Sequence, residues 1–108
     1  MKIYLAGPMR GVPESNFPMF DRAADRLGEQ GYEVFSPADH DRESDNLPGP
    51  EFSIRKALAA DTGWICRHAD AIALLPGWEN SRGAKAELAL AEALGITVII
   101  LGEEYTND

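Results

Sequence analysis

Short, continuous apolar runs recur along the chain and are separated by longer stretches in which apolar and polar residues are mixed. A run of four to six apolar residues bounded by turn residues is typical of a strand that is buried on both faces. We therefore predict four buried β-strands, over residues 2–6, 32–36, 70–75 and 97–101.

Three of the stretches between these strands carry apolar residues every three or four positions, which predicts α-helices. The first begins at Ser15 or Asn16, either of which can cap it, and continues to about Gln30, where Gly31 follows in the usual left-handed position. The other two cover about residues 51–67 and 81–94. The Asp- and Pro-rich segment 37–50 is predicted to be a loop, and the residues after 101 a loose tail.

Buried strands that alternate with helices indicate parallel βαβ units. We predict one α/β domain over residues 1–108, an open doubly wound sheet of the Rossmann-like or flavodoxin-like kind with helices on both faces. Its four main strands should lie in the order 2-1-3-4. Ligands bind where that order reverses, beyond the carboxyl ends of the first and third strands. Two loops meet there, residues 7–14 and 76–82.

Composition limits the partners that the chain can take. Its formal net charge of −8 disfavours a nucleic-acid polymer but allows a small anionic ligand held by a few local donors. No apolar run approaches the roughly 20 residues of a membrane helix, so no membrane contact is expected. The single cysteine, Cys66, indicates a reducing, cytoplasmic environment. His40 and His68 lack metal-type spacing, and neither a metal nor a cofactor is expected.

Two acidic residues point toward the core of the predicted fold. At about 100° per residue, Lys85 and Glu92 mark the solvent face of the third helix, whereas Glu87 lies roughly 140–200° away from them. Asp61 lies in the middle of the apolar face of the second helix. A buried, unpaired carboxylate is costly, so each acid either pairs with loop amides or arginines or serves chemistry at the crevice. Because both helices flank the crevice, we favour a nucleophile and a general acid.

Three stretches of sequence resemble a known family. Residues 4–11 read Tyr-Leu-Ala-Gly-Pro-Met-Arg-Gly, Asp61 precedes Gly-Trp-Ile at 63–65, and residues 81–88 read Ser-Arg-Gly-Ala-Lys-Ala-Glu-Leu. In this order and at these separations they resemble the nucleoside 2-deoxyribosyltransferase superfamily, which includes the 2′-deoxynucleoside 5′-monophosphate N-glycosidases. The resemblance covers nearly the whole chain and is closest to a small bacterial and phage branch.

The resemblance implies catalytic roles. Glu87 would attack the anomeric carbon of a 2-deoxyribosyl group and form a covalent intermediate. Asp61 would protonate the departing base, and Tyr4 would orient Glu87 through its hydroxyl. Tyr4 is otherwise an ordinary buried aromatic whose hydroxyl meets some partner.

The resemblance also implies a substrate-binding set in the two crevice loops. Ser81 matches the phosphate-binding serine of the monophosphate N-glycosidases, and a serine at this position also suits a helix N-cap. Trp78 stands where the characterised relatives have other residues, and it would either stack on the base or cover the core. The other expected binding residues are Gly7, Met9, Arg10, Gly11, Arg82 and Gly83.

The resulting expectation is an enzyme that cleaves or transfers the N-glycosidic bond of a 2′-deoxynucleotide, with Ser81 and Arg10 favouring hydrolysis of a 5′-monophosphate. The alternative is a non-catalytic nucleotide-binding or sensing module, for which an inward-facing nucleophile has little use. A phosphoacceptor or redox domain is disfavoured, because Gly7 and Pro8 follow the first strand where a phosphoacceptor needs an acidic cluster.

A homodimer or larger homo-oligomer is expected, because neighbouring subunits complete the active site in the relatives. Phe17, Phe20 and Trp64 are candidates for that interface, although core positions suit all three better.

Overall fold

The computed structural model describes residues 1–107, and within them a single parallel sheet joins four strands. These are β1 (Lys2–Ala6), β2 (Glu33–Phe35), β3 (Ala71–Leu74) and β4 (Thr97–Ile100). Their order is β2-β1-β3-β4, with every neighbouring pair parallel. The α/β Rossmann-like fold and the predicted strand order are thereby confirmed, and the order reverses between β1 and β3.

Four α-helices connect and cover the strands: α1 (Phe17–Glu29), α2 (Pro37–Glu43), α3 (Ile54–His68) and α4 (Arg82–Leu94). The predicted helices α1, α3 and α4 are confirmed. Helix α3 begins later than the expected residue 51, because the Ser53 hydroxyl accepts the Lys56 amide at 3.2 Å and caps the helix. Gly31 and Gly95 follow α1 and α4 with φ of 94° and 73°, as predicted for left-handed ends.

Helix α2 was not expected, and the prediction of a loop over residues 37–50 is wrong for its first half. Pro37 occupies the first turn of α2, where its missing N–H costs nothing and its fixed φ suits a helix. Ala38 and Asp41 turn inward and are buried. A helix of 7 residues is marginal by itself, so packing against α1 and α3 stabilises it.

The start of α1 also differs from prediction. Asn16 occupies the N-cap position, but its side chain makes no capping hydrogen bond, and its Nδ2 donates to the Pro8 carbonyl at 2.8 Å. Glu14, Ser15 and Asn16 all have positive φ, between 54° and 62°. Left-handed backbone costs non-glycine residues roughly 1–2 kcal/mol each. The Asn16 hydrogen bond to Pro8 and the bond from the Ser15 amide to the Val12 carbonyl, at 2.9 Å, stabilise this turn.

The predicted loose tail is in fact bound to α1. A short turn at Glu103–Tyr105 brings the chain back, and Thr106 is buried. Arg22 Nε donates to the Thr106 carbonyl at 2.5 Å, and Arg26 Nη1 donates to the Glu104 carbonyl at 2.6 Å. The carbonyl groups of Glu104 and Thr106 therefore accept hydrogen bonds from arginine side chains on α1 instead of from water.

The alternating side chains of β1 divide the core into two parts. Ile3 and Leu5 face α1 and pack with Phe20, whereas Tyr4 and Ala6 face the opposite side and pack with residues of α3 and α4. This alternation fixes the direction of Tyr4, because successive strand side chains point to opposite faces.

Strands β2 and β4 were predicted to be buried, but they form the two edges of the sheet and none of their residues is buried. In β4, Val98 and Ile100 are 40% and 72% exposed. Across residues 1–107 no helix is long and apolar enough to cross a membrane.

Candidate active site

A cavity of about 540 Å³ opens where the strand order reverses, and both predicted loops line it. The close approach of the two loops depends on Gly7, where a Cβ would lie only 2.8 Å from the Cβ of Leu75. Gly77, with φ of 88°, brings the second loop against Pro8 in the same way. The structure therefore forms the ligand crevice that the sequence predicted, at the predicted end of the sheet.

Tyr4 stands at the base of this cavity. Its ring is fully buried and stacks on Phe35 at a centroid distance of 5.6 Å, with Trp64 at 6.4 Å on α3. These contacts restrict the orientation of the ring, so its hydroxyl group can point in only one direction. That hydroxyl donates to Glu87 Oε2 at 2.5 Å, which is the contact expected of a residue that orients Glu87.

Glu87 reaches the cavity from α4 and is only 5% exposed, whereas Lys85 and Glu92 on the same helix are exposed. The inward direction predicted from helical periodicity is confirmed. Burial raises the pKa of the Glu87 carboxyl to about 8. The Tyr4 hydrogen bond lowers that pKa and repulsion from Asp61 raises it, so Tyr4 is the group that favours the ionised form.

Asp61 enters the same cavity from α3 and is also 5% exposed. Its Oδ1 has no hydrogen-bond partner among the residues that the structure describes. Burial and repulsion from Asp41 raise the pKa of the Asp61 carboxyl to about 7, against a lowering by the nearby Tyr4 hydroxyl. A carboxyl group in this state holds its proton near neutral pH, as a general acid must.

Pairing with arginine does not account for these two acids. Arg22 donates to the tail, and the Arg10 guanidinium lies over the Phe52 ring at 5.1 Å from its centroid. Within the described part of the chain, no ion pair reaches Glu87 or Asp61. Two buried carboxyl groups without a cation are therefore kept at the crevice by something other than a structural salt bridge.

The start of α4 forms the other end of the cavity, with Ser81, Arg82 and Gly83 in its lining. The Ser81 Oγ accepts the Ala84 amide at 3.1 Å, so the serine is the N-cap of α4. Its hydroxyl proton is still available to a ligand. The first amides of a helix and its dipole favour an anion at this point, and Arg10 lines the cavity from the opposite loop.

The remaining predicted binding residues divide between the cavity and its surroundings. Gly7, Met9 and Arg10 line it, as do Arg82 and Gly83. Gly11 lines only a neighbouring cavity of about 360 Å³. Trp78 is absent from both linings and packs against the core on the Tyr4 side of the sheet, which corresponds to the covering role rather than to stacking on a base.

Sequence reasoning missed two residues of the site, Asp41 and Phe52. Asp41 lies on α2, is 2% exposed and lines both cavities, and Phe52 lines both as well. The signal for α2 was present in the sequence: Ser36 before Pro37 is a helix start with proline in the first turn. Phe52 is a single aromatic in a polar segment, and nothing local indicated its direction.

These residues form a site with the N-terminus of α4 at one end and acidic groups at the other. The carboxyl groups of Glu87 and Asp61, with the Tyr4 hydroxyl between them, face one cavity large enough for a nucleotide. Over residues 1–107, no three histidine, cysteine or acidic side chains are grouped so as to hold a metal ion. The arrangement can position one carboxylate against an electrophile while a second carboxyl group transfers a proton.

Comparison with known families shows that the chain belongs to DUF4406, described as a domain of unknown function, whose model matches residues 1–100. The match covers both crevice loops and all the acidic residues of the cavity. That description specifies no activity and does not by itself relate the family to the 2-deoxyribosyltransferases. A search of curated proteins finds no significant match.

Burial of Glu87 predicts how stability depends on pH. Its folded pKa lies above that of an unfolded glutamate, so the folded state binds more protons between those two values and stability falls as pH rises toward about 8. We expect the urea midpoint of the wild type to decrease from pH 5 to pH 8.5, and that of Glu87→Gln to decrease less. Glu43→Gln, an exposed change on α2, is the matched control and should retain the full decrease. Equal slopes for the wild type and Glu87→Gln would contradict the burial of this charge.

Proposed function

We propose that this member of the DUF4406 family hydrolyses the N-glycosidic bond of 2′-deoxynucleoside 5′-monophosphates, as a relative of the 2-deoxyribosyltransferase superfamily. The observation that carries the proposal is the 2.5 Å hydrogen bond from the Tyr4 hydroxyl to Glu87 Oε2, at a cavity that Asp61 also faces. A buried carboxylate held by one donor, next to a second carboxyl group, suits a retaining displacement at a sugar carbon.

The reaction proceeds in two displacements. In the first, a Glu87 carboxylate oxygen bonds to the anomeric carbon, the bond from that carbon to the base nitrogen breaks, and its electron pair leaves with the base. The Asp61 carboxyl gives its proton to the base. In the second, water attacks the same carbon, Asp61 takes a proton from the water, and Glu87 is released. The products are the free base and 2-deoxyribose 5-phosphate.

Tyr4 favours the charged form of Glu87, which the reaction needs as a carboxylate. The first displacement requires an ionised Glu87 and a protonated Asp61, although burial raises the pKa of both carboxyl groups. The Tyr4 hydroxyl oxygen lies 2.5 Å from Glu87 Oε2, and hydrogen bonding to a carboxylate favours its charged form. The same hydroxyl also lowers the pKa of Asp61, and the pKa of Glu87 is the higher of the two, about 8 against about 7. The reaction therefore needs the shared proton to pass from Glu87 to Asp61 when the substrate binds.

The 5′-phosphate belongs at the start of α4. Ser81 and the first amides of that helix face the cavity about two helical turns before Glu87 on the same element. A phosphate bound there places the sugar between the helix start and the acidic end of the cavity. Arg10 from the opposite loop supplies a charge-assisted donor to the phosphate. This end of the site supports a nucleotide rather than a nucleoside as substrate.

Release of free base from deoxynucleoside monophosphates is the direct test. We expect the wild type to release base, with monophosphates better substrates than the nucleosides, and Glu87→Gln to lower kcat by about a thousandfold or more. Chromatography of the products measures both. The matched control is Glu92→Gln, on the solvent face of the same helix, which should retain full activity.

Three results would contradict the proposal. Absence of base release by the wild type would leave the nucleotide-binding alternative. Equal release by Glu87→Gln and the wild type would remove the assigned nucleophile. A 2-fluoro sugar analogue should label the peptide that contains Glu87, and a label elsewhere would assign the attack to another residue.

Tyr4→Phe tests how the charge on Glu87 is controlled. Loss of the hydroxyl removes the hydrogen bond that lowers the pKa of Glu87, so that pKa should rise. We expect the acidic limb of the kcat/KM profile, which reports ionisation of the free enzyme, to move to higher pH. A uniform loss of activity without movement of the limb would show that Tyr4 only packs. Tyr32→Phe, an exposed tyrosine, is the control.

The expected homo-oligomer is part of this proposal. Val98 and Ile100 expose apolar surface on edge strand β4, and Leu94 at the end of α4 is 46% exposed. Of the residues first considered for an interface, Phe20 is fully buried, and Phe17 and Trp64 are partly buried against the core. The exposed β4 side is therefore the better candidate.

Sedimentation velocity tests this interface. We expect a species of about 24 kDa, twice the 11.8 kDa of one chain, and a shift to the monomer mass in Ile100→Asp. Leu47→Asp places the same charge on an exposed apolar residue away from β4 and should leave the mass unchanged. A wild type that sediments as a monomer would contradict the proposal of a homodimer.

A further inference from the structure

Asp41 is a third buried carboxyl group that the reaction described above does not use. It lies on α2, is only 2% exposed, and lines both the 540 Å³ cavity and the adjoining 360 Å³ cavity. Its Oδ1 has no hydrogen-bond partner within residues 1–107. A buried carboxyl group that lines a cavity and has one oxygen without a donor is complementary to a ligand that brings one.

Asp41 faces the acidic end of the cavity, close enough to Asp61 for their repulsion to raise the Asp61 pKa. The helix start that suits a phosphate lies on another element, α4, which also carries Glu87. With the phosphate at α4 and the sugar at Glu87, the base occupies the space that Asp61 and Asp41 share. Asp41 is thus placed beside the base and not beside the sugar.

The two aspartates present different hydrogen-bonding groups. Burial raises the pKa of Asp41 to about 6, with His40 lowering it, whereas the pKa of Asp61 is raised to about 7. Two facing carboxyl groups do not both ionise readily, and the proton required for the leaving base belongs to Asp61. Near neutral pH the pair therefore offers an acceptor, Asp41, beside a donor, Asp61.

We propose that Asp41 selects the base, and that the substrates are deoxynucleotides of adenine or cytosine, whose amino group is at purine C6 or pyrimidine C4, where the other bases carry a carbonyl oxygen. This inference rests on the proposed function, because it identifies the substrate class of the same site.

The complementarity follows from the edges of the bases. Adenine offers an amino N–H beside the N7 acceptor, and cytosine offers its amino group beside a ring nitrogen. Such an edge gives Asp41 an N–H to accept and gives Asp61 a nitrogen to protonate. Guanine, hypoxanthine, thymine and uracil place a carbonyl oxygen where the amino group would be. That oxygen would face an ionised Asp41 and leave both acceptors without a donor.

Arg10 provides the competing explanation for Asp41. It lines the same two cavities, and its guanidinium rests on Phe52. A turn of the arginine toward Asp41 would make an ion pair and remove the carboxylate from base recognition. In that case Asp41 would have no effect on the choice between amino and oxo bases.

Matched substrate pairs test the proposal without any mutation. Deoxyadenosine and deoxyinosine monophosphates differ at one exocyclic group, as do the deoxycytidine and deoxyuridine monophosphates. We expect kcat/KM to favour the amino member of each pair by about tenfold or more, the range for a buried polar group left unpaired. Asp41→Asn, whose amide can also donate to a carbonyl oxygen, should bring both ratios close to one. Glu43→Gln, an exposed change on the same helix, should leave the ratios unchanged.

The kcat/KM ratios of amino to oxo substrates distinguish a failure of the Asp41 proposal from a failure of the proposed hydrolysis. Base release that depends on Glu87 but shows equal rates for amino and oxo substrates would overturn the role of Asp41 and leave the proposed reaction intact. If Asp41→Asn leaves these ratios unchanged, the role of Asp41 is likewise overturned and the proposed reaction is unaffected. Dissociation constants of the same pairs, measured with Glu87→Gln, supply a readout that needs no turnover. Binding that favours the amino member there supports Asp41 as the selector even if no base is released, and equal binding or none would overturn it.

Discussion

The hydrogen bond between the Tyr4 hydroxyl and Glu87 organises the buried part of the site. Three carboxyl groups, those of Asp41, Asp61 and Glu87, face one cavity, and the Tyr4 hydroxyl lowers the pKa of two of them, Glu87 and Asp61. The hydroxyl donates to Glu87 Oε2 at 2.5 Å. In the proposed division of labour this hydrogen bond supports Glu87 as the carboxylate.

The parallel sheet brings these side chains together. Tyr4 comes from central strand β1, Asp61 from α3 and Glu87 from α4, so their meeting point lies at the end of the sheet where the strand order reverses. The aromatic contacts of Tyr4 with Phe35 and Trp64 hold its ring in place. A rigid donor can tune the pKa of a neighbouring acid, whereas a mobile one would lose its effect in averaging over positions.

Backbone strain is found beside the acidic cavity. Three consecutive residues, Glu14 to Asn16, adopt left-handed backbone after the loop that lines the cavity, and the Asn16 side chain fastens them to the Pro8 carbonyl. Glycine at position 7 permits contact with Leu75 that any other residue would prevent.

The sequence alone determined the strand order and the inward direction of Glu87 and Asp61. The directions of the two acids follow from helical periodicity, which local residue spacing records directly, and the strand order follows from the rules for parallel βαβ connections. Helix α2, the attachment of the tail to Arg22 and Arg26, and the position of Asp41 were decided by tertiary structure. Each depends on groups distant in sequence: packing stabilises a helix too short to form alone, and long-range donors satisfy the tail carbonyls. The inward direction of Glu87 and Asp61 could thus be predicted from the helix that carries each of them. The residues that lie across the cavity from them, such as Asp41, could not be predicted in this way.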